Sequence, residues 1–271
     1  MMDASSLAGP AFLFCPADRP DRFEKAARTA DVVIIDLEDA VAPERRVEAR
    51  HHVLDAHLDP DTTVIRVNPC GTADHERDVA ALLESPYRTL MLAKTSSADE
   101  VRSLARFDVL ALCETPEGVM AVEEIAACPN TVGLMWGAED LVAAMGGYSS
   151  RRDDGTYRDV ARFARARTLL AARARRLIAL DAVFLNFEDL EGLRAEASDA
   201  AAMGFTATAC VHPSQTAVVR AAYRPTPAQL AWAREVAEAA DVEGGVGRVG
   251  GAMIDGPVVT QARQILRRGG E

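Results

Sequence analysis

The chain has 271 residues, 49% of them hydrophobic and 26% charged, enough to bury a sizeable core in one large α/β domain and too apolar for a disordered chain. A net charge of −11 repels phosphates and anionic lipid at long range, so neither a nucleic acid nor a membrane surface is an expected partner. Five cysteines (Cys15, Cys70, Cys113, Cys128, Cys210) without a C-x-x-C pair argue against a disulfide framework or zinc site, and with no secretory signal or long apolar run the expected location is cytoplasmic.

In chain order, short apolar or β-branched runs recur at residues 11–15, 32–37, 63–67, 89–93, 109–113, 132–136, 182–185 and 205–211. Helix-compatible stretches separate them at 22–30, 44–57, 73–84, 99–107, 116–127, 160–178 and 191–203. Strict βα alternation implies a parallel sheet covered by helices, and eight such units fit a closed (β/α)8 TIM barrel over residues 1–223. An open doubly wound sheet is the alternative, but the first turn reads Cys15-Pro16-Ala17-Asp18 and carries no G-x-G-x-x-G.

Nine arginines between Arg151 and Arg176 can be read as a phosphate-binding helix; interleaved acids and the lack of an aromatic platform favour a solvated helix face. Residues 224–271 form a C-terminal helical extension, in which the glycine-rich run from Glu243 to Gly251 leads to Asp255 and reads either as the hinge of a lid or as an ordinary flexible tail.

In a barrel the chemistry lies at the carboxyl ends of the strands, and these ends are polar: Asp36, Glu38 and Asp39, then Arg66 and Asn68, Lys94, Glu114, Glu139 and Asp140, Asn186, and His212. Acids converging on one rim imply a hard cation such as Mg2+, with Glu114 and Asp140 on adjacent strands able to share it. Thr115 and Pro116 can start the next helix, which frees Glu114 from capping, whereas for Asp39 capping or loop structure is at least as good a reading as catalysis. Arg66 and Lys94 either bind an anion or balance the acids. His212 reads as structural, and His51, His52, His57 and His75 as surface residues.

The ordered motifs Phe14-Cys15-Pro16-Ala17, Ile35-Asp36-Leu37-Glu38-Asp39, Arg66-Val67-Asn68, Glu114-Thr115-Pro116-Glu117-Gly118, Gly137-Ala138-Glu139-Asp140-Leu141, Val211-His212-Pro213-Ser214-Gln215 and Met253-Ile254-Asp255-Gly256-Pro257 resemble the citrate lyase β-subunit-like proteins of the HpcH/HpaI aldolase superfamily. The resemblance implies a homotrimer or hexamer with Mg2+ on Glu114 and Asp140. It further implies Arg66 facing the reacting oxygen with Asp36 in its cluster, an oxoacid carboxylate on the backbone of Gly137, Ala138 and Glu139, and Pro213 near the thioester. Coenzyme A phosphates would meet Arg19 and Lys25, and Asp255 would enter a neighbouring subunit's site as the proton carrier.

The implied activity is cleavage of a short β-hydroxyacyl-CoA (malyl-, citramalyl-, citryl- or hydroxymethylglutaryl-CoA type) to acetyl-CoA or a relative and an oxoacid, or the reverse condensation. The chain departs from the family at Thr208-Ala209-Cys210, where a lysine is frequent, and at Asn186, where an aspartate is common at the end of strand seven. Competing readings are a CoA-independent hydroxy-oxoacid aldolase, the β-subunit of a citrate lyase complex acting on an acyl-carrier thioester, and a non-catalytic binding barrel.

Overall fold

A computed structural model describes residues 7–243 and 247–270. Eight strands, β1 (Ala11–Pro16), β2 (Val32–Asp36), β3 (Thr63–Val67), β4 (Thr89–Leu92), β5 (Asp108–Cys113), β6 (Thr131–Trp136), β7 (Ile178–Asp181) and β8 (Ala207–Cys210), form a closed barrel in sequence order. All neighbours run parallel, and β8 returns to β1 through Ala11 opposite Thr208. The (β/α)8 expectation holds.

The helices in chain order are α1 (Phe23–Thr29), α2 (Arg46–Asp55), α3 (Ala73–Leu82), α4 (Ala98–Ser103), α5 (Pro116–Met120), α6 (Val122–Ala126), α7 (Ala138–Ala144), α8 (Asp159–Ala174), α9 (Leu190–Met203), α10 (Pro213–Tyr223), α11 (Pro227–Glu243) and α12 (Gly256–Gly269). The chain divides into two compact units, Met1–Val219 and Arg220–Glu271. No described helix is long and apolar enough to cross a membrane.

Strand side chains alternate between the two faces, and the inward set fills the barrel with Phe12, Ile34, Val64, Met91, Leu110, Leu112, Met135 and Leu180. Two residues further along the same faces come Phe14, Asp36, Arg66 and Glu114. Phe14 still packs against the apolar cluster, and the other three of these side chains bring charge to the carboxyl-end rim.

Two elements depart from the sequence reading. Strand seven is Ile178–Asp181, not 182–185, because α8 stops at Ala174 and Arg176 turns the chain with a left-handed φ of 59°. The strand-end residue is thus the buried Asp181, while Asn186 lies in the following loop, where its Oδ1 accepts from Glu188 N at 3.3 Å. In addition, His75 is buried rather than superficial, its Nδ1 lying 2.9 Å from Asn68 O.

The arginine-rich helix is also not simply a solvated face. Arg165 pairs with Asp181 and Asp199, Arg167 with Glu123, and Arg151, on the preceding loop, with Glu196. Arginine supplies buried or half-buried ion pairs here because its planar fork satisfies two carboxylate oxygens at once.

In the second unit, α11 and α12 enclose a small core of Ala233, Val236, Ala240, Ile254, Val259 and Ala262. Strands β9 (Gly247–Val249) and β10 (Ala252–Ile254) form an antiparallel hairpin whose turn, Gly250-Gly251, has φ of 56° and 85°, the left-handed pair that glycine adopts without strain. That part of the glycine run is a hairpin turn; Gly244, Gly245 and Val246 lie outside the described residues.

Candidate functional site

The rim residues converge on one charged cluster. Arg66, near the end of β3, donates from Nε to Asp36 Oδ1 and from Nη2 to Oδ2, both at 2.6 Å, and its Nη1 lies 3.1 Å from Glu38 Oε2. The guanidinium stands over the Phe14 ring, 4.9 Å from its centroid, which gives the first motif a role. Asp36 also accepts from Glu38 N at 2.9 Å and Ala40 N at 3.2 Å. With four donors directed at it, this buried carboxylate orients Arg66 and the loop and has little capacity left to move protons.

Asn68 is structural: its amide donates to Leu37 O and to buried Asp78, which Arg50 also grips. Asp39 caps no helix and instead pairs with Lys94 at 3.1 Å. Thr115 accepts from Gly118 N at 3.1 Å and Pro116 opens α5, so capping is done by Thr115 and Glu114 is free for the site.

Glu114 is buried, and its Oε1 accepts from Lys94 N at 3.2 Å. Burial, with the adjacent Asp140 charge, pushes its carboxyl up to about 8. Gly137 explains how close the packing is: a Cβ there would lie 2.6 Å from Glu114 Oε2 and 2.9 Å from its Cβ. Glycine before α7 lets Glu114 lie against the β6 end.

Asp140, in the first turn of α7, is 39% exposed and lies 3.4 Å from Lys94 Nζ; the same Nζ is 4.0 Å from Glu114 Oε1. Lys94 also hydrogen-bonds Glu38. Neighbouring Glu139 accepts from Ser150 at 2.6 Å, and no side chain caps α7, so the backbone of Gly137, Ala138 and Glu139 begins the helix without a side-chain partner.

The cluster fits a hard divalent cation. Its donors are all carboxylate oxygens, Glu114's ionised form is penalised in the absence of a counter-charge, and half-open Asp140 leaves room for water and substrate oxygens. Among the described residues no group of three or more His, Cys, Asp or Glu side chains is placed to hold a metal ion together.

In the first unit, Arg19, Lys25 and Pro213 have local partners rather than partners in this cluster. Arg19 and Lys25 are on the segment after β1, where Arg19 pairs with Asp21 at 3.0 Å and Lys25 is exposed on α1. Pro213 starts α10 after β8, and the preceding His212 is exposed, bonded to Ser214 and stacked on Phe187. In the second unit, Asp255 caps α12 by accepting from Val258 N at 3.3 Å. Sequence reading named Lys94 without a definite role and missed Asp181. Asp181 accepts from Trp136 Nε1 at 2.6 Å and so anchors the residue just before Gly137.

A family model described as HpcH/HpaI aldolase/citrate lyase matches residues 11–213. The chain is 56% identical over 264 residues to a citrate lyase subunit beta-like protein of Mycobacterium tuberculosis, covering 97% of each. It is 33% identical over 269 residues to a (3S)-malyl-CoA thioesterase of Cereibacter sphaeroides, covering 94% of this chain and 93% of the relative. Among solved structures, CitE from Mycobacterium tuberculosis in complex with magnesium, acetoacetate and coenzyme A superposes with a TM-score of 0.96 at 56% identity, over 98% of this chain and 100% of that one.

Proposed function

The chain belongs to the HpcH/HpaI aldolase/citrate lyase family, and on that premise we propose that it is a magnesium-dependent carbon–carbon lyase cleaving a short β-hydroxyacyl-CoA into acetyl-CoA or a relative and a 2-oxoacid, or running the reverse condensation. The observation that carries this reading is the buried Glu114 beside half-open Asp140, facing an Arg66 locked by Asp36.

Mg2+ held by Glu114 and Asp140 would supply Lewis-acid charge to the hydroxyl and carboxylate of the substrate. The backbone N–H groups at Gly137, Ala138 and Glu139, which no side chain caps, receive that carboxylate. The hydroxyl gives its proton to a water molecule, the oxygen's electron pair forms the oxoacid carbonyl as the carbon–carbon bond breaks, and the electrons of that bond leave as a thioester enolate whose negative oxygen faces Arg66. Asp36 fixes the guanidinium plane and is a positioning residue. Asp255 delivers the proton to the enolate carbon, from a neighbouring subunit of a homotrimer or hexamer.

Arg19 and Lys25 meet the coenzyme A phosphates, and Pro213 lies near the thioester. The coenzyme A in the Mycobacterium tuberculosis complex supports a thioester substrate over a free hydroxy-oxoacid. The malyl-CoA thioesterase relative makes hydrolysis of the hydroxyacyl thioester itself a further reaction to be measured.

The test is a panel of malyl-, citramalyl-, citryl- and hydroxymethylglutaryl-CoA, the matching free acids and an acyl-carrier thioester, each assayed with Mg2+ for oxoacid, acyl-CoA and free thiol. Equal amounts of oxoacid and acyl-CoA from at least one CoA substrate support the proposal. Turnover confined to free acids or to the carrier thioester would transfer the protein to one of the competing readings.

A further inference from the structure

Lys94 holds an unusual position. Met91 faces the barrel interior, so strand alternation would send Ala93 inward and Lys94 outward. Instead Lys94 takes a left-handed φ of 51°, a conformation that is strained for a non-glycine residue and persists only where the surroundings demand it. Glycine would adopt it freely, so lysine's side chain is what the position retains. The turn directs Lys94 N onto Glu114 Oε1 and its ammonium into the carboxylate ring.

Within the ring the contacts are graded. The ammonium hydrogen-bonds buried Glu38 and, at 3.1 Å, Asp39, while it stands 3.4 Å from Asp140 and 4.0 Å from Glu114. Glu38 in turn lies 3.1 Å from Arg66. Five carboxyl groups thus surround two cations, an excess of negative charge that only a further cation or protonation relieves.

We infer that Lys94 is the resident counter-ion of the metal site: tied back by Glu38 and Asp39, its ammonium offsets the charge of Glu114 and Asp140 without hydrogen-bonding their oxygens, stabilising the metal-free protein at a cost to metal affinity. The inference rests on the metal-site reading proposed above. Lys94 acts on the reaction through the metal ligands, so its role is positional and electrostatic.

The test uses Lys94→Met, which removes the charge, and Lys94→Gly, which also relieves the backbone. Melting temperatures are measured in EDTA and in saturating Mg2+, and Mg2+ affinity by calorimetry. Both variants should melt several degrees below wild type in EDTA but regain most of the deficit in Mg2+. Their Mg2+ affinity should be about tenfold tighter, the order that removing one repelling charge gives in a partly solvated site. An equal melting shift with and without Mg2+, or unchanged or weaker affinity, overturns the inference. Absence of Mg2+ binding to wild type would instead remove the metal site itself and the inference with it, a result distinct from a bound metal indifferent to Lys94.

Discussion

Replacing Arg165 with methionine tests the scaffold beneath the site. Arg165 on α8 donates to Asp181 through Nε at 3.1 and 3.2 Å and through Nη2 at 2.7 Å, and to Asp199 through Nη1 at 2.7 Å. Asp181 is buried, and without Arg165 it keeps Trp136 Nε1 and Ala182 N as neutral donors among the described residues. Removing one partner of a buried pair costs about 3–5 kcal/mol, because the remaining charge is left in a poorly solvating interior. At about 2–4 °C per kcal/mol for a domain of this size, the melting point should fall by roughly 6–20 °C.

Burial already pushes the Asp181 carboxyl up against the opposing pull of Arg165, so losing Arg165 raises it further. A carboxyl raised in the folded state loses stability as pH increases, so the deficit should be larger at pH 7.5 than at pH 5. Equilibrium urea unfolding at both values measures it. Arg165→Met with Asp181→Asn, which removes the stranded charge and keeps an acceptor for Trp136, should recover about half the loss. A deficit below about 1 kcal/mol at pH 7.5, or a double variant no better than the single one, would refute the reasoning.

Three further outcomes follow from the site. Gly137→Ala should push Glu114 away and weaken Mg2+ binding by about tenfold or more, with a stability loss of only about 1–3 kcal/mol; calorimetry with retained affinity would contradict it. Arg66→Lys keeps the charge but loses the two-point grip on Asp36, so kcat should drop about 100-fold in steady-state assays while Mg2+ affinity changes little. In EDTA, Glu114 with its carboxyl at about 8, against 4.5 unfolded, binds more protons folded than unfolded between those values. Wild-type stability should therefore fall relative to Glu114→Gln as pH rises through that window, and a constant difference in urea unfolding would contradict the assignment.

Much of the arrangement was legible before any coordinates, because hydrophobic runs mark parallel strands buried on both faces, and residues just past them must land on one rim. Glu114 and Asp140 were readable for that reason, helped by Thr115 and Pro116 taking over helix initiation. Strand seven was misplaced because Ala171, Ala172 and Ala174 run unbroken into Leu177 and Ile178, and the break depends on a left-handed arginine that composition does not announce. The internal ion pairs of the arginine-rich helix were hidden for a related reason: Asp181, the partner of Arg165, enters the argument only once strand seven has its correct register. Sequence left Lys94 open between binding an anion and balancing the acids, since the choice depends on a backbone turn and on carboxylates supplied by three separate segments.

The most direct measurement is cleavage rate against Mg2+ concentration for EDTA-stripped enzyme, set beside the same titration of Glu114→Gln with Asp140→Asn, with folding checked by circular dichroism. The account predicts that wild type gains turnover along a single saturating Mg2+ curve while the folded double variant stays at background. Full activity in EDTA, or a Mg2+ response preserved in the double variant, would contradict it.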